Sequence, residues 1–221
     1  TQFAHVDAGN GYFPGDYRII PNGVDVKRFN PRLKPVDGLT GSGQNLLFVG
    51  RFDPRKGLKY LLLAFPIVVK QAPEARLIVV GGGPLKLYYE RFLDPSVRDR
   101  VSFEGYVSPN DLPRYYASCD VFCSPATCAE SFGIILLEAM ASGKPIVASN
   151  IVGYRQVIED GLDGVLVPPE DPQALASSIV KVLKDPGLKA RLRENGWKKA
   201  QRYSWAKVTR TVEEYYREVR E

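Results

Sequence analysis

The sequence predicts an α/β fold in which a parallel β-sheet carries helices on both faces. Short β-branched runs alternate with longer helix-like stretches, the pattern that crossover helices impose on parallel strands. The runs are apolar almost throughout, as strands covered on both faces must be. The chain of 221 residues, 44% hydrophobic and 25% charged, is long enough to bury such a core without disulfides or metals.

Residues 1–44 are rich in Gly, Pro and Asn and read as a leading segment and an incoming connection. The first strand, 46–49, stops at Gly50, and a helix is expected over 57–70. The second, 76–80, runs into Gly81-Gly82-Gly83-Pro84, where Pro84 is placed to open a helix. After the strand 101–103, Ser108 is the expected N-cap and Pro109 the first-turn proline of a helix reaching about Cys119. The strand 121–123 precedes a loop and a helix over 133–142, closed by Gly143. Strands at 145–148 and 165–167 complete the sheet, so residues 45–204 read as one domain. A last helix, 205–221, sets Trp205, Val208, Val212, Tyr215 and Val219 on one stripe that needs something to pack on.

Composition excludes several chemistries. His5 is the single histidine, so the body of the chain holds no Ser-His-Asp, Cys-His or multi-His site. Cys119, Cys123 and Cys128 match no zinc spacing and read as small thiols in a reducing cytosol. The net charge of +5 gathers late, at Lys189, Arg191, Arg193, Lys198, Lys199, Arg202, Lys207 and Arg210. Such charges read as solvated helix faces, and no nucleic-acid partner is expected. No apolar run of membrane-spanning length and no signal peptide is visible, and the first residue, Thr1, suits a fragment or processed product.

Chemistry concentrates in Glu130-Ser131-Phe132-Gly133-Ile134-Ile135-Leu136-Leu137-Glu138. The eight steps between the carboxylates amount to roughly 12 Å along a helix axis at about 1.5 Å per residue. A helix start with free N–H groups between them suits phosphate. The carboxylates would repel phosphate and therefore suit neutral hydroxyls on either side of it, the pattern of a nucleotide sugar. Singly, Glu130 is an ordinary loop charge. Glu138, between Leu137 and Ala139, reads as a carboxylate in an interior helix, costly if unpaired. Arg51 and Lys56 follow a strand at the ligand edge of the sheet and supply counter-charge for a diphosphate. No Asp-x-Asp dyad is present to hold Mg²⁺ there.

Together these residues resemble the family-four retaining glycosyltransferases of the GT-B fold. The likeness runs through Ile20-Pro21-Asn22-Gly23-Val24-Asp25 with Phe29, Val49-Gly50-Arg51 with Lys56-Gly57, Val80-Gly81-Gly82-Gly83-Pro84 and Gly105-Tyr106-Val107. It is densest from Glu130-Ser131-Phe132-Gly133 through Glu138-Ala139-Met140-Ala141-Ser142-Gly143-Lys144-Pro145 and extends to Gly161-Leu162-Asp163-Gly164.

The resemblance implies a Rossmann-like donor-binding half of a two-domain enzyme. Arg51 and Lys56 would hold the donor diphosphate and Glu130 the hydroxyls of the transferred sugar. Phe132, Gly133 and Ile134 would offer backbone N–H groups, Glu138 would meet the ribose, and Gly50, Gly81 and Gly82 would border the diphosphate. Tyr106, Val107 and Ser108 would line the base pocket. The implied reaction retains anomeric configuration and needs no metal or other cofactor.

The likeness is to bacterial and archaeal mannosyltransferases, including those acting on phosphatidylinositol, which favours GDP-mannose. UDP-glucose, UDP-N-acetylglucosamine and ADP-glucose stay open, as do a non-catalytic nucleotide-binding module and a UDP-sugar epimerase. An amino-terminal acceptor domain that supplies a catalytic-site histidine is expected as a partner outside these residues; His5 does not match that histidine. The last helix would fold back on that domain, and without it would favour self-association. This stretch alone is expected to bind donor without transferring it, in the cytoplasm or peripherally at the inner membrane face.

Overall fold

A computed structural model describes residues 18–39 and 44–219. Six parallel strands form one sheet: β1 (Asn45–Val49), β2 (Arg76–Val80), β3 (Val101–Gly105), β4 (Val121–Ser124), β5 (Ile146–Ser149) and β6 (Val165–Val167). Their spatial order is β3-β2-β1-β4-β5-β6. Connections leaving β1 run one way to β2, while β4 lies on its other side, so a crevice opens past the carboxyl ends of β1 and β4.

The apolar runs follow from that placement. Alternate residues of a strand face opposite sides of a sheet. Leu46 and Phe48 enter one core with Leu58, Leu61 and Phe65 of α1 (Leu58–Gln71), whereas Leu47 enters the other. That second core is built with Tyr116 of α3 (Leu112–Ser118) and with Leu136, Leu137 and Met140 of α4 (Ile134–Ala141). An inner strand that alternated polar and apolar residues would leave one of these cores short; the edge strand β3 does alternate, with Ser102 and Glu104 beside Val101 and Phe103.

The helix ends follow local chemistry. Gly143 (φ 66°) closes α4: its N–H donates to the Met140 carbonyl at 2.9 Å, and the Lys144 N–H donates to the Ala139 carbonyl at 3.0 Å. Two Asp-Pro pairs start the helices α6 (Pro172–Lys184) and α7 (Pro186–Arg202). Asp171 accepts from the Ala174 N–H and Asp185 from the Leu188 N–H, and each proline occupies a first turn where its missing N–H costs nothing.

Two expected starts shift. Pro84 sits in a turn, and α2 (Lys86–Glu90) begins two residues later without a side-chain cap. Ser108 and Pro109 likewise belong to a turn rather than to α3. The Ser108 carbonyl accepts from the Asp111 and Leu112 N–H groups, and Pro113 is the proline in the first turn. Short 3-10 turns at Pro54–Lys56 and Pro95–Arg100, and the four-residue α5 (Val152–Arg155), complete the chain's course up to β6.

The connection lies on the domain, with Val24 and Phe29 buried in the second core. It is also tied to the last helix, α8 (Trp205–Glu218): the Val24 N–H donates to the Tyr203 carbonyl, and the Trp205 N–H donates to the Val24 carbonyl. Of the expected stripe on α8, Val208 is buried and Val212 and Tyr215 are partly buried, but Trp205 is 49% and Val219 66% exposed, so the two ends of that face lack cover among the described residues. Four of the late cations are engaged within the domain. Lys189 pairs with Asp120, Lys198 with Glu194 and Lys199 with Asp163, while Arg193 donates to the Gly143 carbonyl. Among the described residues no helix is long and apolar enough to cross a membrane.

Candidate functional site

Loops leaving four strands lock together at the carboxyl edge of the sheet. The Gly50 N–H donates to the Val80 carbonyl at 3.0 Å, Phe52 to Gly82 at 2.9 Å, Gly81 to Gly105 at 2.8 Å and Thr127 to Arg55 at 2.9 Å. Two glycines permit the approach. A side chain on Gly81 (φ 121°) would overlap the Gly50 carbonyl, and one on Gly57 (φ 71°) the Pro125 carbonyl.

Lys56 ends the turn that Asp53 starts, and its Nζ lies 2.5 Å from Glu130 Oε1, across 74 residues of sequence. The two side chains are 23% and 14% exposed, so the pair is partly shielded from water. Arg55, one residue away, is already spoken for. It holds Asp53 at 2.7 Å, and that bond keeps the Asp53 carboxyl well below the usual range. Arg51 is exposed and forms no ion pair among the described residues. The loop thus offers an open cation at Arg51 and one at Lys56 that only Glu130 neutralises.

Glu130 follows Ala129, whose φ of 58° is uncommon for a residue with a side chain and marks a constrained turn. A 290 Å³ cavity beside it is lined by Cys128, Glu130, Asn150, Gly153 and Arg155. Beneath the loop, Tyr154 is fully buried and shares a 2.7 Å hydrogen bond with Ser124 Oγ. Burial, followed by the Glu130 charge, pushes its hydroxyl pKa far above the ordinary value. The same ring fills the space beside Gly133 (φ 76°), where a Cβ would sit 2.8 Å from it.

No side chain caps the start of α4 at Gly133; the Leu136 N–H donates to the Gly133 carbonyl at 2.9 Å, while the N–H groups of Ile134 and Ile135 keep their donor capacity. Ile134 is 41% exposed there and Phe132 is buried. Because the helix starts only at Ile134, the separation of the two carboxylates along its axis is not eight helical steps. Four steps, or roughly 6 Å of rise, lead from Ile134 to Glu138. Glu138 is half-buried and not unpaired: Tyr116 Oη donates to its Oε2 at 2.9 Å. Burial raises its carboxyl pKa, against the pull of the Tyr116 hydrogen bond and the Arg28 charge.

Tyr106 is 76% exposed and lies against Gly82, where a Cβ would be 2.9 Å from its ring. Val107 packs on the second core, and the exposed Ser108 donates its hydroxyl to Asp111 Oδ2 at 2.7 Å. A larger cavity of 440 Å³, lined by Arg76, Asp99 and Arg100, opens at the opposite edge of the sheet and contains none of these residues.

A family model described as "Glycosyl transferases group 1" matches residues 31–199. The chain belongs to that family. This group 1 glycosyl transferase chain is 36% identical over 201 residues to the phosphatidyl-myo-inositol mannosyltransferase of Mycolicibacterium smegmatis, covering 90% of this chain and 51% of that protein. Among solved structures it is similar to sucrose-phosphate synthase from Thermosynechococcus elongatus, with a TM-score of 0.81 and 28% identity over 99% of this chain and 57% of that one. It is also similar to Anabaena HepE in complex with UDP-glucose, with a TM-score of 0.76 and 26% identity over 91% of this chain and 57% of that one. The chain spans about half the length of the curated relatives it matches, and its sheet is one half of the GT-B architecture.

Residue type and position in the sequence had pointed to Arg51, Lys56, Glu130, Gly133 and Glu138 in this glycosyl transferase chain. The fold brings Lys56 and Glu130 into contact beside the α4 start, with Arg51 in the same loop as Lys56. Tyr116, Tyr154 and Arg28 were not singled out. In sequence the tyrosines look like core aromatics, and Arg28 lies in a connection segment that carries no motif of its own.

Proposed function

We propose that this chain binds a nucleoside-diphosphate sugar at the crevice between β1 and β4, as the donor half of a retaining, metal-independent glycosyltransferase. The observation that carries the reading is the Lys56–Glu130 pair beside an uncapped helix start. One partner suits phosphate, the other suits hydroxyls, and each keeps the other in place until a ligand offers both. The pyrophosphate then lies over the first turn of α4, with Arg51 forked onto it and Lys56 as a point charge. Glu130, released, accepts from hydroxyls of the transferred sugar. It positions the sugar and stabilises charge there, and it is not a covalent nucleophile. Glu138 takes the ribose, with Tyr106, Val107 and Ser108 towards the base.

The donor is GDP-mannose, a choice supported by the likeness to a phosphatidyl-myo-inositol mannosyltransferase. The UDP-glucose complex of Anabaena HepE supports a second reading, a UDP-sugar. Transfer goes to a lipid, glycan or small-molecule acceptor held mainly by the other half of the protein, against which the partly bare stripe of α8 would pack. The site works in the cytoplasm, and a lipid acceptor would bring it to the inner membrane face. Alone, the chain self-associates through α8. Calorimetric titration with GDP, UDP and ADP in EDTA tests the reading: one diphosphate should bind, with its sugar nucleotide, and added Mg²⁺ should not change the affinity. Absence of binding by all three would end it.

A further inference from the structure

The carboxylate assigned to the ribose has a partner of its own. Tyr116 is fully buried, its ring set edge-on to Phe29 at 5.6 Å and tilted against Phe122 at 5.2 Å, so the ring has little freedom. Its hydroxyl donates to Glu138 Oε2 at 2.9 Å and lies 3.4 Å from the Ile135 carbonyl, one turn earlier on α4. A phenol donates a single proton, and here that proton fixes one oxygen of the Glu138 carboxylate.

We propose that Tyr116 is a positioning residue for nucleotide recognition: by holding Oε2 of Glu138 it turns Oε1 toward the ribose and keeps the carboxylate in its accepting form. This rests on the donor reading above and goes beyond it, since Tyr116 is fully buried and acts through Glu138.

The charged surroundings of Glu138 are sparse. From α3 comes Tyr116 and from the connection comes Arg28, whose guanidinium lies 5.1 Å from the Phe29 ring centroid and donates to the Pro109 carbonyl. Of the cations on α7, which packs on α4, Arg193 donates to the Gly143 carbonyl, and Lys189, Lys198 and Lys199 pair with Asp120, Glu194 and Asp163. Removing the Tyr116 hydroxyl therefore removes a hydrogen bond that favours the ionised carboxylate and leaves the Arg28 charge to favour it.

The test compares wild type, Tyr116→Phe, Glu138→Gln and the double variant of the 221-residue chain by calorimetry, with the best-binding nucleoside diphosphate and with inorganic pyrophosphate. Tyr116→Phe should weaken the nucleoside diphosphate about tenfold, the worth of one hydrogen bond to a charged group, and leave pyrophosphate unchanged. In the Glu138→Gln background it should add less than about twofold, because the two residues act as a unit. The acid limb of the affinity–pH curve should move to higher pH in Tyr116→Phe. Fluorotyrosine at position 116, which keeps the shape and donates more strongly, should move it to lower pH, and this arm decides if the Phe variant does not fold. Equal losses for both ligands, additive losses in the double variant, or limbs that stay still would overturn the role of Tyr116. Failure of the wild type to bind any nucleoside diphosphate would instead overturn the donor reading on which it rests.

Discussion

Replacing Glu130 by Gln should tighten the binding of a bare nucleoside diphosphate, although Glu130 belongs to the site. Lys56 Nζ sits 2.5 Å from Glu130 Oε1 with both side chains less than a quarter exposed, so a phosphate must break a charge-assisted bond to reach Lys56. Such a bond contributes about 1.5–3 kcal/mol, and the neutral bond that Gln would keep contributes about 0.5–1.5 kcal/mol. The difference between like ends of the two ranges, about 1–1.5 kcal/mol, corresponds to roughly 5- to 12-fold in affinity. Loss of a negative charge beside the phosphates adds to the gain. A sugar nucleotide should gain less, because the amide accepts more weakly from sugar hydroxyls than the carboxylate does. Calorimetry with GDP and GDP-mannose, or with UDP and UDP-glucose, reads both arms. A Glu130→Gln protein that binds the diphosphate more weakly, or that changes diphosphate and sugar nucleotide equally, would refute the reasoning.

Lys56→Ala should weaken diphosphate binding by about 1.5–3 kcal/mol in the same titration; an unchanged affinity would remove Lys56 from the site. Gly57→Ala should destabilise the fold by about 1–3 kcal/mol from its left-handed backbone alone, more with the overlap on Pro125, and lower Tm by about 2–4 °C per kcal/mol. In native protein, Cys128 should react quickly with a thiol reagent while Cys119 and Cys123 react only after denaturation. Cys128 is exposed, whereas burial pushes the Cys119 thiol up to about 12 and raises Cys123 as well. Because burial raises the Glu138 pKa, the native state holds a proton that the unfolded chain releases between the ordinary carboxylate value and the raised one. Stability should therefore fall as pH rises through that window, and Glu138→Gln should flatten that part of the curve in denaturant melts.

The inner strands were legible because burial on both faces leaves little room for polar residues, so Leu46–Val49 and Leu77–Val80 stand out as runs, whereas the half-buried edge strand β3 alternates. The short helices were not. α2 and α5 span five and four residues, too few for a period of 3.6 to show. The Ser108-Pro109 start failed for a different reason: serine hydroxyls close turns as readily as they cap helices, and here the Ser108 hydroxyl is bound to Asp111 two residues beyond the proline. In the site, cations after a strand and a glycine before an apolar helix carry their chemistry in their type and place. The Lys56–Glu130 contact joins residues 74 apart, and no local pattern encodes it. Tyr116 and Tyr154 were hidden by their own burial, since a tyrosine in an apolar helix shows its hydroxyl's partner only once the fold is known. His5 lies outside the described residues.

The most direct measurement is a crystal structure of this chain with a nucleoside diphosphate bound. The phosphates should lie over the first turn of α4, accepting hydrogen bonds from backbone N–H groups near Gly133 at about 2.7–3.2 Å, with Lys56 Nζ moved from Glu130 onto a phosphate oxygen. Phosphates bound away from that helix start, with the Lys56–Glu130 pair intact, would contradict the account.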